Sequence, residues 1–250
     1  SRNSGSVCLL SFDDCYLREW AEWLPFLRDN GMRATFYVSN FMPLICGGED
    51  GAGADALRAL VSGGHTVGCH GAAHGRAKKM TREVGFDGYY HSEIVPYFIL
   101  ADEFKIKKPY HYAYPYGNGD SGTDRELLDI FATVRYGGRE YYSPDRLHKV
   151  RVIHAANFGK RPEGSCGHED AVRHAHKNNG AIALHMHRPI EKRMLFLADM
   201  ARAGMRFLSI VAFLGLTGNY NSRVCRRSCF PIVAFLGLTG NYNHPTLRHR

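Results

Sequence analysis

Nowhere does this chain of 250 residues hold the roughly 18–20 consecutive apolar residues that a helix needs to cross a bilayer. Arg, Lys, Asp, Glu or His interrupts every candidate run, which excludes an integral membrane segment of that kind. A signal peptide's basic start and long apolar core are missing too, because the chain opens Ser1-Arg2-Asn3 and turns apolar within a few residues. It has no initiator Met, which fits a trimmed chain. The expected location is therefore the cell envelope or outside if a leader was removed, and otherwise the cytoplasm. Cysteine is short of a disulfide framework: the seven (Cys8, Cys15, Cys46, Cys69, Cys166, Cys225, Cys229) are odd in number and irregular in spacing, so mostly free thiols are expected. Acids are absent from residues 219–250, which carry five arginines (Arg223, Arg226, Arg227, Arg248, Arg250) and so hold most of the formal net charge of +8. Elsewhere basic residues are scattered among acids without aromatic interleaving, which argues against a nucleic-acid partner. With 44% hydrophobic and 22% charged residues, the chain is neither disordered nor fibrous, and its length suits one large domain.

What is present is alternation. Short β-compatible runs at residues 6–12, 33–38, 65–69, 111–114, 132–136, 181–187 and 205–211 alternate with helical spacing at 17–30, 54–61, 92–104, 124–131, 168–177 and 190–203. Gly31 sits where a helix C-cap glycine belongs. Strand and helix in turn predict an α/β fold with a parallel sheet, and we favour a (β/α) barrel, whose chemistry collects at the carboxyl ends of its strands. Asp13-Asp14, His70, the turn Tyr114-Pro115-Tyr116-Gly117 and His185/His187 all fall at such ends. The tail breaks the pattern. The segment VAFLGLTGNYN occurs at 211–221 and again, unchanged, at 233–243. Two perfect copies are too few for a solenoid. The expected division is a barrel over 1–218 and a basic tail over 219–250 outside the fold, the first copy completing the last strand.

Adjacent acids such as Asp13 and Asp14 often only begin a turn or cap a helix. Here they precede a second signal: His70 and His74 are four apart, the spacing that lets two imidazoles reach one ion. Two histidines and a carboxylate leave coordination sites open for water and substrate, as a catalytic metal site requires. On a strand of period two, His185 and His187 project to one face, so either could serve the same site.

Ser11-Phe12-Asp13-Asp14 resembles the Thr-Phe-Asp-Asp opening motif of the polysaccharide deacetylases, the carbohydrate esterase family 4 group. His70 to His74 is similar to that family's His-Ser/Thr-x-x-His motif, Ala113-Tyr114-Pro115-Tyr116 to its Arg-x-Pro-Tyr/Phe, and Ile182-Ala183-Leu184-His185 to its Leu-x-His. The resemblance covers about residues 7–210. It implies a distorted (β/α) barrel with fewer than eight regular βα units and a metal-dependent hydrolase that removes acetyl groups from N-acetylated sugars, a polysaccharide foremost, acting on amide rather than peptide bonds. It also implies roles: Asp13 as general base; Asp14, His70 and His74 as ligands of a divalent metal, usually zinc, sometimes cobalt or nickel; and Tyr114, Pro115 and Tyr116 at a carbohydrate substrate. His185 fits the motif and His187 lies nearer the strand exit; we lean to His187 as the acid. Three departures stand out. Ala113 replaces the motif Arg, a charge that Arg135 on the next strand could supply; Gly71 replaces Ser/Thr; and the family's Asp- and Trp-containing motif has no match between residues 137 and 152. The alternatives are a hydrolase of a small cyclic or linear amide and a carbohydrate-binding barrel whose catalysis has decayed. Oligomeric state is left open.

Overall fold

The computed structural model describes residues 5–47, 51–108, 110–143, 150–159 and 167–212. The tail from residue 219, nearly all of both VAFLGLTGNYN copies, Cys166, Cys225, Cys229 and the middle of the glycine-rich stretch 47–53 lie outside these residues. In chain order the strands are β1 (Val7–Asp14), β2 (Thr35–Val38), β3 (Thr66–Cys69), β4 (His111–Ala113), β5 (Thr133–Gly137), β6 (Tyr141–Tyr142), β7 (Val152–Asn157), β8 (Ala181–Met186) and β9 (Arg206–Leu208). Seven of them, β1 to β5, β7 and β8, run parallel and close on themselves through the β8–β1 pairing. The barrel expected from the alternation is therefore present, with seven strands in its wall.

Two short strands extend the sheet beside β1 and β8, on the edges away from their mutual pairing. β9 pairs with Val7–Leu9 of β1, below the point where β2 takes over at Ser11. β6 lies antiparallel to Ala181–Ile182 of β8, below the point where β7 begins at Ala183. This explains a departure from the expected last strand over 205–211. Beyond Leu9 the edge of β1 is occupied by β2, so β9 stops at Leu208, and residues 210–212 turn helically instead. Val211 and Ala212, where the first copy of the repeat begins, do not extend that strand.

Side-chain alternation sorts each strand's residues between two cores. On β1, Cys8, Leu10 and Phe12 face outward and join Phe36, Val38, Val67, Tyr112, Val134, Leu184 and Met186 under the helices. Val7 and Leu9 face inward with Ile153, Ala155, Ala181 and Ala183. Above that small apolar floor, the inward positions turn polar toward the carboxyl ends of the strands, where Asp13, His70, Arg135 and His185 are buried.

The helices follow their sequence signals with instructive exceptions. The expected helix at 17–30 is split into α1 (Leu17–Glu22) and α2 (Leu24–Asp29), because Pro25 near the start of the second lacks the N–H that would continue the first. α3 (Met42–Cys46) was not expected; α4 is Ala52–Ser62. α5 (Ala77–Tyr89), also unexpected, kinks at Gly85 and runs through a π-helical turn (Tyr90–Ile94) into α6 (Val95–Glu103). α7 is Ser121–Leu128, capped by Asp120, whose Oδ1 accepts from the N–H groups of Gly122 and Thr123 at 3.0 Å. α8 (His168–Lys177) packs on β8 and β1, and α9 (Glu191–Arg202) packs beside α8. Among the described residues no helix is long and apolar enough to cross a membrane.

Candidate functional site

The carboxyl ends of β1, β3, β4, β5 and β8 bring the sequence's candidates to one mouth of the barrel. Asp13 points inward from β1 and is buried, with its Oδ2 accepting a 2.6 Å charge-assisted hydrogen bond from Arg135 Nη2. Burial by itself would raise the Asp13 pKa, but Arg135, with His70 and His185 nearby, overcomes it and holds the pKa at about 2. The carboxyl is thus fixed as a carboxylate, and its second oxygen, Oδ1, is buried without a hydrogen-bond partner among the described residues. Arg135 itself is buried in the barrel. The commoner reading of such a residue, a solvated strand edge, does not hold here.

Period two would turn Asp14 outward. Instead its φ of 83° swings the carboxylate over the mouth. There Asp14 Oδ1 lies 3.2 Å from His74 Nε2 and 3.6 Å from His70 Nε2, and Oδ2 lies 3.8 Å from His187 Nε2. Burial disfavours the charged Asp14, yet His74, His187 and His70 outweigh it and lower its pKa. His74 and Tyr116 also adopt left-handed backbone, φ 58° and 60°. Such conformations cost of order 1–3 kcal/mol each and gather where the surrounding structure requires them.

Asp14, His70 and His74 each offer one ligand atom, all within 4.8 Å of one another. Two features fit this set to a divalent ion. Asp14 Oδ1 is buried and faces the Nε2 atoms of both histidines, at 3.2 and 3.6 Å. His70 Nδ1 lies 2.8 Å from the Ala113 carbonyl oxygen and must donate to it, which turns the lone pair of Nε2 toward Asp14. Burial, above all, lowers the His70 pKa to about 4 and keeps the ring neutral, the form that ligates.

One residue of this arrangement escaped the sequence reading. Glu93, buried in the π-helical turn, accepts from the Ala73 N–H at 3.0 Å through Oε2, while its carbonyl accepts from the Ala72 N–H at 3.0 Å. It ties down the loop between the two histidines. A Cβ on Gly71 would stand 2.6 Å from Glu93 Oε2, and one on Gly75 2.5 Å from Oε1. Gly71, where the resemblance has Ser or Thr, therefore makes room for this carboxylate. The available signal was a lone acid heading the apolar run Ile94-Val95-Pro96-Tyr97.

His185 Nδ1 lies 3.0 Å from the Ala155 carbonyl oxygen, and the ring is nearly buried. Burial first, then the Arg135 charge, lowers its pKa to about 4. His187, just past the end of β8, is 40% exposed, its ring centroid 6.2 Å from that of His185, while its carbonyl accepts from Trp20 Nε1. Tyr116 is 56% exposed and its ring meets His74 at 4.6 Å. Tyr114 departs from its expected place at the substrate: it is fully buried on the outer face of the barrel, and its hydroxyl donates to Asp124 Oδ1 at 2.7 Å. Strand alternation sends Tyr114 away from the mouth that Ala113 faces. Pro115 is buried at the start of the turn.

A parallel barrel whose mouth gathers paired carboxylates and histidines defines the scaffold, and comparison with known proteins gives the family. The chain belongs to the polysaccharide deacetylase family, whose model matches residues 1–132. Among curated proteins none matches the chain. The fold resembles the peptidoglycan deacetylase PdaC from Bacillus subtilis (TM-score 0.54, 13% identity, covering 87% of this chain and 94% of that one). It also resembles a family 4 carbohydrate esterase from Streptomyces lividans solved with acetate (0.52, 16%, 80% and 90%). A third similar structure is BA3943 from Bacillus anthracis, described as a pseudoenzyme of that family (0.53, 13%, 84% and 66%). At these identities the likeness shows the fold.

Proposed function

We propose that the protein is a divalent-metal-dependent hydrolase that removes acetyl groups from N-acetylated sugars, with a polysaccharide as substrate. One observation carries the reading: at a single barrel mouth Asp13 Oδ1 is a buried carboxylate oxygen without a hydrogen-bond partner among the described residues, beside Asp14 Oδ1, which faces two imidazole nitrogens at 3.2 and 3.6 Å. Structural acids in a buried site are normally satisfied. Asp14, His70 and His74 would hold the ion, zinc by its donor set, with cobalt or nickel also compatible. When bound, such an ion acidifies a water and polarises an amide carbonyl.

The chain's own residues do the rest. Asp13 is the general base: Arg135 holds one of its oxygens and keeps it ionised, leaving Oδ1 to accept the proton of the attacking water. The backbone N–H of Tyr116, in the left-handed turn after β4, is assigned to the developing oxyanion. His187 is assigned the proton delivered to the departing amine, because it stays partly solvated beside Asp14 whereas burial and Arg135 disfavour a protonated His185. A second reading, His185 as the donor, draws support from the fixed orientation of its ring against the Ala155 carbonyl. The decayed-barrel alternative loses one support, since a guanidinium reaches Asp13 despite Ala113. Elemental analysis with acetate release from chitooligosaccharides tests the whole: near-stoichiometric metal and acetate are expected, His70→Ala and His74→Ala losing both. Unchanged metal content in these variants would overturn the ligand set.

A further inference from the structure

Beside this mouth lies a groove of about 350 Å³ lined by Arg76, Lys78, Lys79, Arg82, Glu83, Pro115 and Asn118. Four of the seven residues are cationic and one is acidic, and all four cations are exposed. Lys78, Lys79 and Arg82 share a face of α5, three and four residues apart. That arrangement is locally unfavourable. Like charges at such spacing repel, and cations in the first turn of a helix oppose its dipole; α5 has no acid in its first turn. The acids nearby compensate little. Glu83 pairs with Lys79 among the described residues, at 3.8 Å between largely solvated side chains, and Asp120, which feels the Lys78 charge, is engaged by the Gly122 and Thr123 N–H groups and the Thr123 hydroxyl.

Arg76, in the groove's lining, links the groove to the candidate site. The Arg76 guanidinium stacks 3.7 Å above the Tyr116 ring, whose centroid lies 4.6 Å from that of His74. A sugar next to the one whose acetamido group lies at the metal ligands would therefore extend past the Arg76–Tyr116 pair toward Lys78, Lys79 and Arg82. We propose that the groove is a subsite for an anionic group, a carboxylate or sulfate, on a sugar next to the one deacetylated, so that the substrate is an acidic N-acetylated glycan. The inference rests on the deacetylase reading above and adds the charge class of its substrate.

The test compares the full-length parent with Lys78→Gln/Lys79→Gln/Arg82→Gln, none of which belongs to the catalytic set. The substrates are a neutral chitotetraose, an O-sulfated chitotetraose and a hyaluronan tetrasaccharide. The parent should show lower KM on an acidic oligosaccharide than on the neutral one, and the triple variant should raise that KM roughly tenfold while leaving the neutral one unchanged. The difference should collapse in about 0.5 M salt. Sulfated against uronate substrate tells which anion is read. An equal loss on neutral and acidic substrates, or a parent that prefers the neutral one, overturns the proposal. If the parent deacetylates nothing, the deacetylase reading fails, and affinity electrophoresis decides the groove separately: hyaluronan in the gel should retard the parent more than the variant, with glycol chitin treating both alike. The arginine-rich tail is common to both proteins and drops out of the comparison. Equal retardation of both by hyaluronan, or stronger retardation by single-stranded DNA than by hyaluronan, overturns the subsite.

Discussion

Ala113 and Arg135 are register partners on the adjacent parallel strands β4 and β5, so the guanidinium on Asp13 comes from the position beside the one where the family's motif carries it. Both side chains are inward and buried, and the exchange preserves the charge beside Asp13 while changing the strand that provides it.

A lateral exchange of this kind should be reversible. Arg135→Ala leaves a buried carboxylate without its cation, a loss of about 3–5 kcal/mol for comparable pairs. It should also raise the pKa of Asp13 and move the acid limb of the pH–rate profile upward, since burial then acts unopposed by Arg135. Ala113→Arg in that background should restore both stability and the profile. No recovery would show that the strand of origin matters.

Asp13→Asn should retain bound metal and lose about 10²- to 10⁴-fold in turnover, because the carboxamide cannot accept the water's proton. Metal content and acetate release on the same sample check it. Turnover near the parent rate would make Asp13 a structural neighbour of Arg135.

Replacing Glu93 by Ala should loosen the loop between His70 and His74, and weaken metal binding about 10- to 100-fold, the usual scale for outer-shell partners. Glu93→Gln keeps an acceptor for the Ala73 N–H and should recover most of that affinity. Competition with a metallochromic chelator gives the numbers.

On an amide substrate, His187→Ala should slow hydrolysis more than His185→Ala, and the defect should shrink on an activated acetyl ester, whose leaving group needs no proton. A larger loss at His185 would reassign the acid.

Acid should destabilise the barrel through His111. It is fully buried, its Nδ1 lies 2.8 Å from Thr133 Oγ1, and burial lowers its pKa to about 3. Its folded pKa lies below the unfolded one, so the unfolded chain binds the extra proton between the two values. Stability attached to His111 is then complete above about pH 6.5 and is lost as the pH falls toward 3, by up to ~1.4 kcal/mol per pH unit. Thermal melts of the parent and His111→Gln at pH 7 and pH 5 should show a shallower acid dependence in the variant.

Much of this was legible because barrel strands write their ends as chemistry. Each of the matched motifs closes a run of alternating or apolar residues, so Asp13, Asp14, His70 and His74 could be placed at one mouth from order alone. Where local signal was weak, the reading failed. α5 carries Gly85 and Gly88 and few apolar residues, and its helicity comes from packing beside α7 and the π-helical turn. β7 (Val152–Asn157) went unread although it supplies the carbonyl that orients His185. Tyr114 was misplaced because an aromatic residue next to a motif looks alike on either face, and only the inward direction of Ala113 fixes its parity.

The seam that joins β8 to β1 has a temporal meaning as well. Ser11 Oγ donates to the Leu184 carbonyl across 173 positions of sequence, so the candidate base and the candidate acids are among the last groups to meet. Contacts this distant form slowly, since the long intervening chain must first give up its freedom. A chain still emerging from its ribosome would hold the histidine loop and its Glu93 tie well before any proton donor stood opposite Asp13. Activity would then begin with the joining of the first strand to the eighth, and acetate release during refolding would time that event directly.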